Sequence, residues 1–368
     1  MYIFNCKCKK SSFFTAIILL SLLVLLFGCQ EKEDDSTLMK KKEENSTISN
    51  ENEKLIVSIF NNEGKSSVVE LDAEKIVEEE LVTNETVWLH ATLSGNKRYL
   101  AYTSAKGDGP WEIYLLDRND KKTHQVTNDT LGQLMPRFGD KEGKTIYSEI
   151  LGEKYPVSKI AKVDVEKKDS IVFDTEQADR AVEMYDISTN KIIGAFVSEE
   201  ENKARFKASN ETGETLEQIM YSIYEMNLDG SDMKLITSIK AINIDSIAYG
   251  PDEKSIILGG ENVNEDEGSG IYKLSLTSKT LTTILTDQMI KESPSPVLAE
   301  IGQRRLAVLS KNERFIYFAG IPKNEEVNFN GITTKIQCIY KYDLDNKEIT
   351  KVYEYKKPAF VTDMTVTY

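Results

Sequence analysis

Residues Leu93–Phe138 read LSGNKRYLAYTSAKGDGPWEIYLLDRNDKKTHQVTNDTLGQLMPRF. Tyr99–Ser104 is a short run of apolar and aromatic residues. Glu112–Asp117 alternates around Ile113, Tyr114 and Leu116, and Thr123–Thr127 is a third short run rich in branched residues. Between them lie Gly107-Asp108-Gly109-Pro110 and Arg118-Asn119-Asp120-Lys121. Both are turn chemistry: glycine accepts positive φ, proline fixes φ, and short polar side chains bond their own backbone. The stretch predicts strand, turn, strand, turn, strand, with Pro136 opening the next unit.

The third strand of this unit recurs along the chain. Ser67–Asp72, Glu112–Asp117, Lys159–Asp164, Ser222–Asn227, Gly270–Ser275 and Cys338–Asp343 align, with equivalent positions at 69, 114, 161, 224, 272 and 340. The spacings are 45, 47, 63, 48 and 68 residues. Propeller blades repeat at about 40–50 residues, so three spacings fit directly and two carry insertions. Candidate insertions are Ser198–Gln218, Ile301–Ser310 and Pro322–Lys335, which are expected as loops on one face. Turns such as Asp229-Gly230-Ser231-Asp232 and Asp345-Asn346-Lys347-Glu348 lead into a fourth strand.

The ends complete the count. Val361–Tyr368 reads as a first strand with nothing after it, and Leu55–Phe60 reads as a second strand with no first. One blade is therefore expected to be shared, its innermost strand supplied by the C-terminus. Ring closure removes the long exposed edges that an open stack would leave. The prediction is an all-β, six-bladed β-propeller of four-stranded antiparallel blades over residues 55–368. The units WEIYLLD…HQVT…MPRFGDKEGKTIYSE and YGPDEKSIILGG…GIYKLSL resemble the TolB-type family of six-bladed propellers. They are also similar to the non-catalytic propellers of prolyl-oligopeptidase-like enzymes. The resemblance implies an architecture more than a chemistry, because one fold hosts many functions.

The first 54 residues have a different character. Lys7, Lys9 and Lys10 precede the apolar run Phe13–Gly28. That run suits a signal-peptide core better than a spanning helix, which needs about 20 apolar residues. Leu26-Phe27-Gly28-Cys29 resembles a bacterial lipobox, with Phe27 departing from the usual small or aliphatic choice. The resemblance implies a signal peptide over 1–28, diacylglycerol and palmitate-type acylation at Cys29, and a body held at the cell membrane on its extracytoplasmic side. Acyl chains anchor at about 0.8 kcal/mol per buried CH₂. Gln30–Lys54 has few apolar residues and mixed charge, the composition of a disordered tether.

Net charge is −14, and becomes −17 once the first 28 residues and their three lysines are removed. This disfavours nucleic acid and anionic lipid surfaces as the main partner of the body, since both need clustered Lys and Arg. The four cysteines, Cys6, Cys8, Cys29 and Cys338, form neither a disulfide framework nor a zinc pattern, and Cys338 is expected as a buried small residue. The two histidines, His90 and His124, fall in an inner and an outer strand. No G-x-S-x-G, H-E-x-x-H or phosphate-binding glycine loop occurs. No cofactor is expected, and no metal is assigned.

Residues leading into the first strands should gather at the channel mouth. They include Trp88, Met135, Arg137, Asp179, Arg180, Asp245 and Asp363. Asp179, Asp245 and Asp363 sit at similar register, so a shared cation or basic-peptide site is one expectation. The competing expectation is that aspartates cap turns. Trp88 and Trp111 are expected mainly in the core. The leading functional reading is a non-catalytic scaffold for a protein or peptide partner on the loop face. The alternatives are a hydrolase or lyase with a carboxylate-bound channel metal, and a glycan- or small-ligand-binding lipoprotein. Cys29→Ala should release the protein from membranes or leave an unprocessed precursor. Fractionation with intact-mass measurement checks this, and unchanged retention and mass would refute it.

Overall fold

The computed structural model describes residues 53–368, apart from 62, 73–76, 86–88, 106–108, 129, 153, 265–266, 324–325, 330–331 and 356–358. The expected signal segment, Cys29, most of the tether and Trp88 lie outside the described residues. The chain opens with β1 (Lys54–Asn61), β2 (Ser66–Asp72) and β3 (Val77–Glu85). Blade 2 follows as β4 (Ala91–Leu93), β5 (Tyr99–Ser104), β6 (Glu112–Asp117) and β7 (Lys122–Gln125). Blade 3 is β8 (Gly132–Phe138), β9 (Thr145–Gly152), β10 (Tyr155–Asp164) and β11 (Asp169–Val172). Blade 4 is β12 (Arg180–Ile187), β13 (Lys191–Ser198), helix α1 (Glu199–Thr212), β14 (Ile219–Asn227) and β15 (Lys234–Ala241). Blade 5 is β16 (Asn243–Tyr249), β17 (Ser255–Glu261), β18 (Ser269–Ser275) and β19 (Leu281–Thr286), with a short helix α2 (Asp287–Glu292) after it. Blade 6 holds β20 (Leu298–Ile301), β21 (Ala307–Leu309), β22 (Phe315–Pro322), the hairpin β23 (Glu326–Phe329) and β24 (Ile332–Lys335), then β25 (Cys338–Asp343) and β26 (Ile349–Glu354). The last strand, β27 (Ala359–Thr367), returns to pair with β1, so blade 1 has the order β27-β1-β2-β3.

This is a six-bladed β-propeller with one blade shared by the two ends of the body. The closing pair runs from Lys54↔Thr367 to Asn61↔Ala359, with one register shift between Ser58 and Ile59. Positions 69, 114, 161, 224, 272 and 340 all fall on third strands, as the repeat predicted.

Burial explains why these strands are so apolar. Middle strands are covered on both faces by neighbouring blades: β6 is buried throughout, while the outer strands β7 and β11 are mostly exposed. Six hydrophobic clusters fill the six interfaces between blades among the described residues. One joins blades 1 and 2 through Ile56, Val68, Leu100 and Tyr114. Another joins blades 6 and 1 through Val308, Ile339, Leu55 and Val361, which completes the ring. The largest fully buried side chains are tyrosines: Tyr147, Tyr185, Tyr221, Tyr272 and Tyr340. A ring of this kind contributes about 1.5–3 kcal/mol through burial. Its hydroxyl needs a partner, and several find one on a neighbouring blade or linker. Tyr147 donates to the Leu228 carbonyl at 2.6 Å, Tyr340 to that of Val297 at 3.1 Å, and Tyr368 to that of Leu309 at 2.6 Å. Cys338 is fully buried, as expected.

Antiparallel blades sort their connections between two faces. In blades 2 to 6 the links from first to second and from third to fourth strand are six residues or fewer. They lie together on what we term the turn face. All the long links lie on the opposite, loop face: α1, α2 and the β23–β24 hairpin are each inserted there. Three expectations are corrected at this point. Ser198–Gln218 is mainly helix, because Ser198 accepts from the Glu201 amide, three glutamates occupy the first turn, and Gly213 closes the helix at φ 71°. Ile301–Ser310 is no plain loop either: it contains β21 and interrupts the inner strand of blade 6, since β20 and β21 both pair with β22. Pro322–Lys335 likewise contains a hairpin.

That interruption presses the backbone against blade 5. A Cβ on Gly259 would stand 1.6 Å from the Arg305 carbonyl oxygen, and backbone cannot yield as a side-chain tip does. Gly259→Ala should destabilise the body by about 3 kcal/mol. A lowered urea midpoint at unchanged m-value is the expected result.

Candidate functional site: the channel and the loop face

Among the described residues, every inner strand except the short β4 and β21 carries a β-bulge. The register slips at 135–136 in β8, at Glu183 in β12, at Asp245 in β16, at Ala299 in β20 and at Thr362 in β27. A bulge bends its strand and re-aims side chains. Here it accompanies charged residues on strands that line a central channel. At Met135 the backbone takes φ 46°, and its carbonyl accepts from the Tyr185 hydroxyl of blade 4.

Arg137 is 7% exposed and faces Asp363 at 3%. Its two terminal nitrogens stand 3.3 Å from the two carboxylate oxygens, a bidentate pair. Asp363 also accepts from the Ala91 amide at 3.3 Å, and His90 Nδ1 lies 3.6 Å away. Arg137 Nε is 3.6 Å from Asp186, whose other oxygen accepts from the Tyr249 amide at 2.7 Å. Arg304 donates to the Thr362 carbonyl at 3.0 Å. Burial pushes the Asp363 carboxyl up, but Arg137 and His90 outweigh it and hold it far below the usual carboxylate range. Burial wins at Asp186, which is raised despite Arg137. The guanidinium therefore serves chiefly Asp363. Burial also lowers His90, against the pull of Asp363.

A second network sits nearer the loop face. Arg305, at φ 41°, donates to Asp245 at 2.8 Å, Glu261 at 2.6 Å and the Ser269 hydroxyl at 3.0 Å. Helix α1 contributes a third. Its Arg205 is buried and donates to the carbonyls of Ile242 at 2.6 Å and Glu217 at 3.1 Å, while Asn202 donates to Glu183 at 3.3 Å. Glu149 faces Ser158 of its own blade and, across the blade 3–blade 4 interface, Glu183. Burial, then repulsion from Glu183, pushes the Glu149 carboxyl up to about 8, and burial raises Glu183 as well. At neutral pH the Glu149 carboxyl holds its proton.

The predicted residues are thus dispersed. Asp179 accepts from the Ser198 hydroxyl at 2.6 Å and the Glu200 amide at 2.8 Å, so it anchors the start of α1. Arg180 pairs with Asp174 at 2.9 Å and covers the Tyr224 ring at 5.0 Å. Met135 is buried in the blade 3–blade 4 core, not at the mouth. Asp245 and Asp363 lie on either side of Arg304 electrostatically, yet each has its own arginine; the expected convergence of Asp179 with them does not form. Trp111, expected in the core, is 36% exposed on the loop face beside β6. Arg304, Arg305, Glu149 and Glu183 were missed. The Arg304-Arg305 doublet within an apolar inner-strand stretch was the available signal. Among the described residues, no three His, Cys, Asp or Glu side chains are grouped as a metal site.

Comparison with solved structures agrees with this architecture. TolB from Acinetobacter baumannii superposes with a TM-score of 0.60 at 11% identity, over 85% of this chain and 66% of that one. A putative TolB from Agrobacterium tumefaciens gives 0.52 at 11% identity, over 86% and 97%. A chain of the nidogen/laminin complex gives 0.55 at 9% identity, over 86% and 98%. No family model matches the chain, and no curated protein sequence does. The chain spans about two thirds of the Acinetobacter protein, and identities this low establish a TolB-like propeller fold alone.

The raised carboxyl gives a pH test. An unfolded glutamate titrates near 4.3, so folded Glu149 retains a proton that the unfolded chain releases between about pH 4.3 and 8. Its contribution to stability is full below about 4.3 and is lost as pH rises through about 8. Glu149→Gln removes that loss. The Tm advantage of the variant over wild type should grow from pH 5 to 8 and then level off, as read by thermal unfolding.

Proposed function

We propose that this protein is a lipid-anchored, extracytoplasmic propeller whose loop face docks a protein or peptide partner without catalysis. The observation that carries the reading is the asymmetry of the two faces. One is closed by short turns, and the other holds α1, α2 and the β23–β24 hairpin. Of the six large apolar side chains exposed among the described residues, four lie on the loop face: Trp111 just before β6, Met220 and Phe360 at the starts of β14 and β27, and Met289 on α2. Exposed aromatic and methionine side chains are favoured anchors in interfaces.

The anchor fits this orientation. As a second strand, β1 starts on the turn face, so a tether from Cys29 joins the body opposite the loop face. The insertions then point away from the bilayer. One structural neighbour comes from a complex between nidogen and laminin, which is consistent with a propeller used for protein contact. The channel-metal reading is less well supported, because Asp245 and Asp363 are paired to arginines and Asp179 to a helix start.

Photo-crosslinking residues placed at Trp111, Met289 and Phe360 should capture a partner on intact cells. The same probes at Lys141, Glu253 and Asn346, on the turn face, should not. Capture from the turn face with silence from the loop face would reverse the proposal.

A further inference from the structure

Resting on that reading of the loop face, the geometry points to one receptor within it: the concavity between blades 4 and 5 takes an extended, lysine- or arginine-bearing segment of a protein partner. The concavity has a volume of about 640 Å³. It is lined by Thr215, Leu216 and Gln218 after α1, by Ile242 and Asn243 leading into β16, and by Glu261 with two asparagines beyond it. A volume of a few hundred Å³ suits a short ligand segment.

Three features specify the occupant. The first is the lining chemistry. Amide side chains both donate and accept, which matches the alternating N–H and C=O groups of an extended backbone. Leu216 and Ile242 supply apolar contact between them. The side-chain amide of Asn243 has no hydrogen-bond partner among the described residues, so it is available to a ligand.

The second is rigidity. Asn262 and Asn264 hold positive φ of 49° and 60°, a conformation asparagine tolerates better than most residues. Asn262 accepts from the Gly268 amide at 2.7 Å, and its carbonyl accepts from the Gln218 side chain. Asn264 accepts from the Lys240 amide at 3.2 Å. A rim fixed before binding loses little entropy on binding.

The third is charge. The stretch from α1 into the concavity exposes Glu200, Glu201, Glu211, Glu214 and Glu217. Its exposed cations are Lys203 and Lys207, which lie 3.1 Å from Glu199 and 3.9 Å from Glu211. Arg205 is turned inward and buried. Glu214 and Glu217 bracket two lining residues, so a basic side chain leaving the concavity meets carboxylates. Met220, 47% exposed, adds an apolar contact just beyond. An acidic or neutral segment would lose the charge complementarity that selects partners and speeds encounter.

The test uses an end-blocked ten-residue peptide of alternating lysine and threonine, against one of alternating glutamate and threonine, with the purified body. Fluorescence anisotropy at low salt should show the basic probe binding at least tenfold more tightly. Hydrogen-exchange protection should centre on residues 215–218 and 242–243. Asn243→Phe fills the concavity without changing charge and should cost at least tenfold. Glu217→Lys, on an exposed position that leaves folding intact, should cost at least threefold, and Glu200→Lys less than twofold. Equal binding of the two peptides, or equal effects of Glu217→Lys and Glu200→Lys, would overturn the inference. Protection on blades 1, 2 or 6 alone would overturn it too, yet leave loop-face docking standing if loop-face crosslinks form. Turn-face crosslinks would remove both.

Discussion

One buried guanidinium holds the middle of the ring. Arg137, from blade 3, binds Asp363 of blade 1 and approaches Asp186 of blade 4. Asp363 accepts from the Ala91 amide of blade 2, and Asp186 from the Tyr249 amide of blade 5. Arg304, of blade 6, binds the carbonyl beside Asp363. Six blades thus meet through a few buried polar contacts. Such a cluster is a weak source of net stability, since desolvation offsets much of the attraction, but losing one partner typically costs about 3–5 kcal/mol. Its stronger effect is on register. A strand slipped by one residue turns its charged side chain into an apolar interface and its apolar ones into the channel. The bulges fit the same constraint, because they re-aim the inner strands to present Arg137, Glu183, Asp245 and Asp363 where the ring needs them.

Much of the fold was legible because burial on both faces leaves a simple trace. The Ile-Tyr pairs of the third strands lie between blades, so their repeat marks the blades. The shared blade followed from an orphan first strand at one end and a missing one at the other. What was not legible depends on residues far apart in the chain. Nothing local to Arg137 or Asp363 shows that they meet across 226 positions. Met135 looked like a mouth residue until a bulge turned it into the core. Helix α1 was misread for another reason. Its composition is polar throughout, but Ser198 and Glu201 carry a capping signal that the charge run obscured.

The candidate site was legible as a face and not as a set of residues. Loop insertions are visible in spacing, and their collection on one side follows from antiparallel geometry. The aspartates were drawn together by their register alone. Each instead meets a different need: one starts a helix, one fixes Arg305, and one fixes Arg137. The polar concavity is built by segments that spacing could not join, the tail of α1 and the two ends of the β16–β17 hairpin.

The pairing of β27 with β1 has a consequence for how the protein comes to be folded. The hydroxyls of Thr362 and Thr365 reach carbonyls 273 and 274 positions earlier in the chain, so those bonds form only after blades 2 to 6 have been made. Contacts of such separation make for slow folding. Until β27 arrives, β1 offers an unpaired apolar edge and the channel charges lack their partner. A chain delivered from its N-terminus would wait in that state, exposed to proteases and to its neighbours. Pairing of β27 with β1 ends that exposure, so the ring is only as long-lived in its open form as that one strand is late.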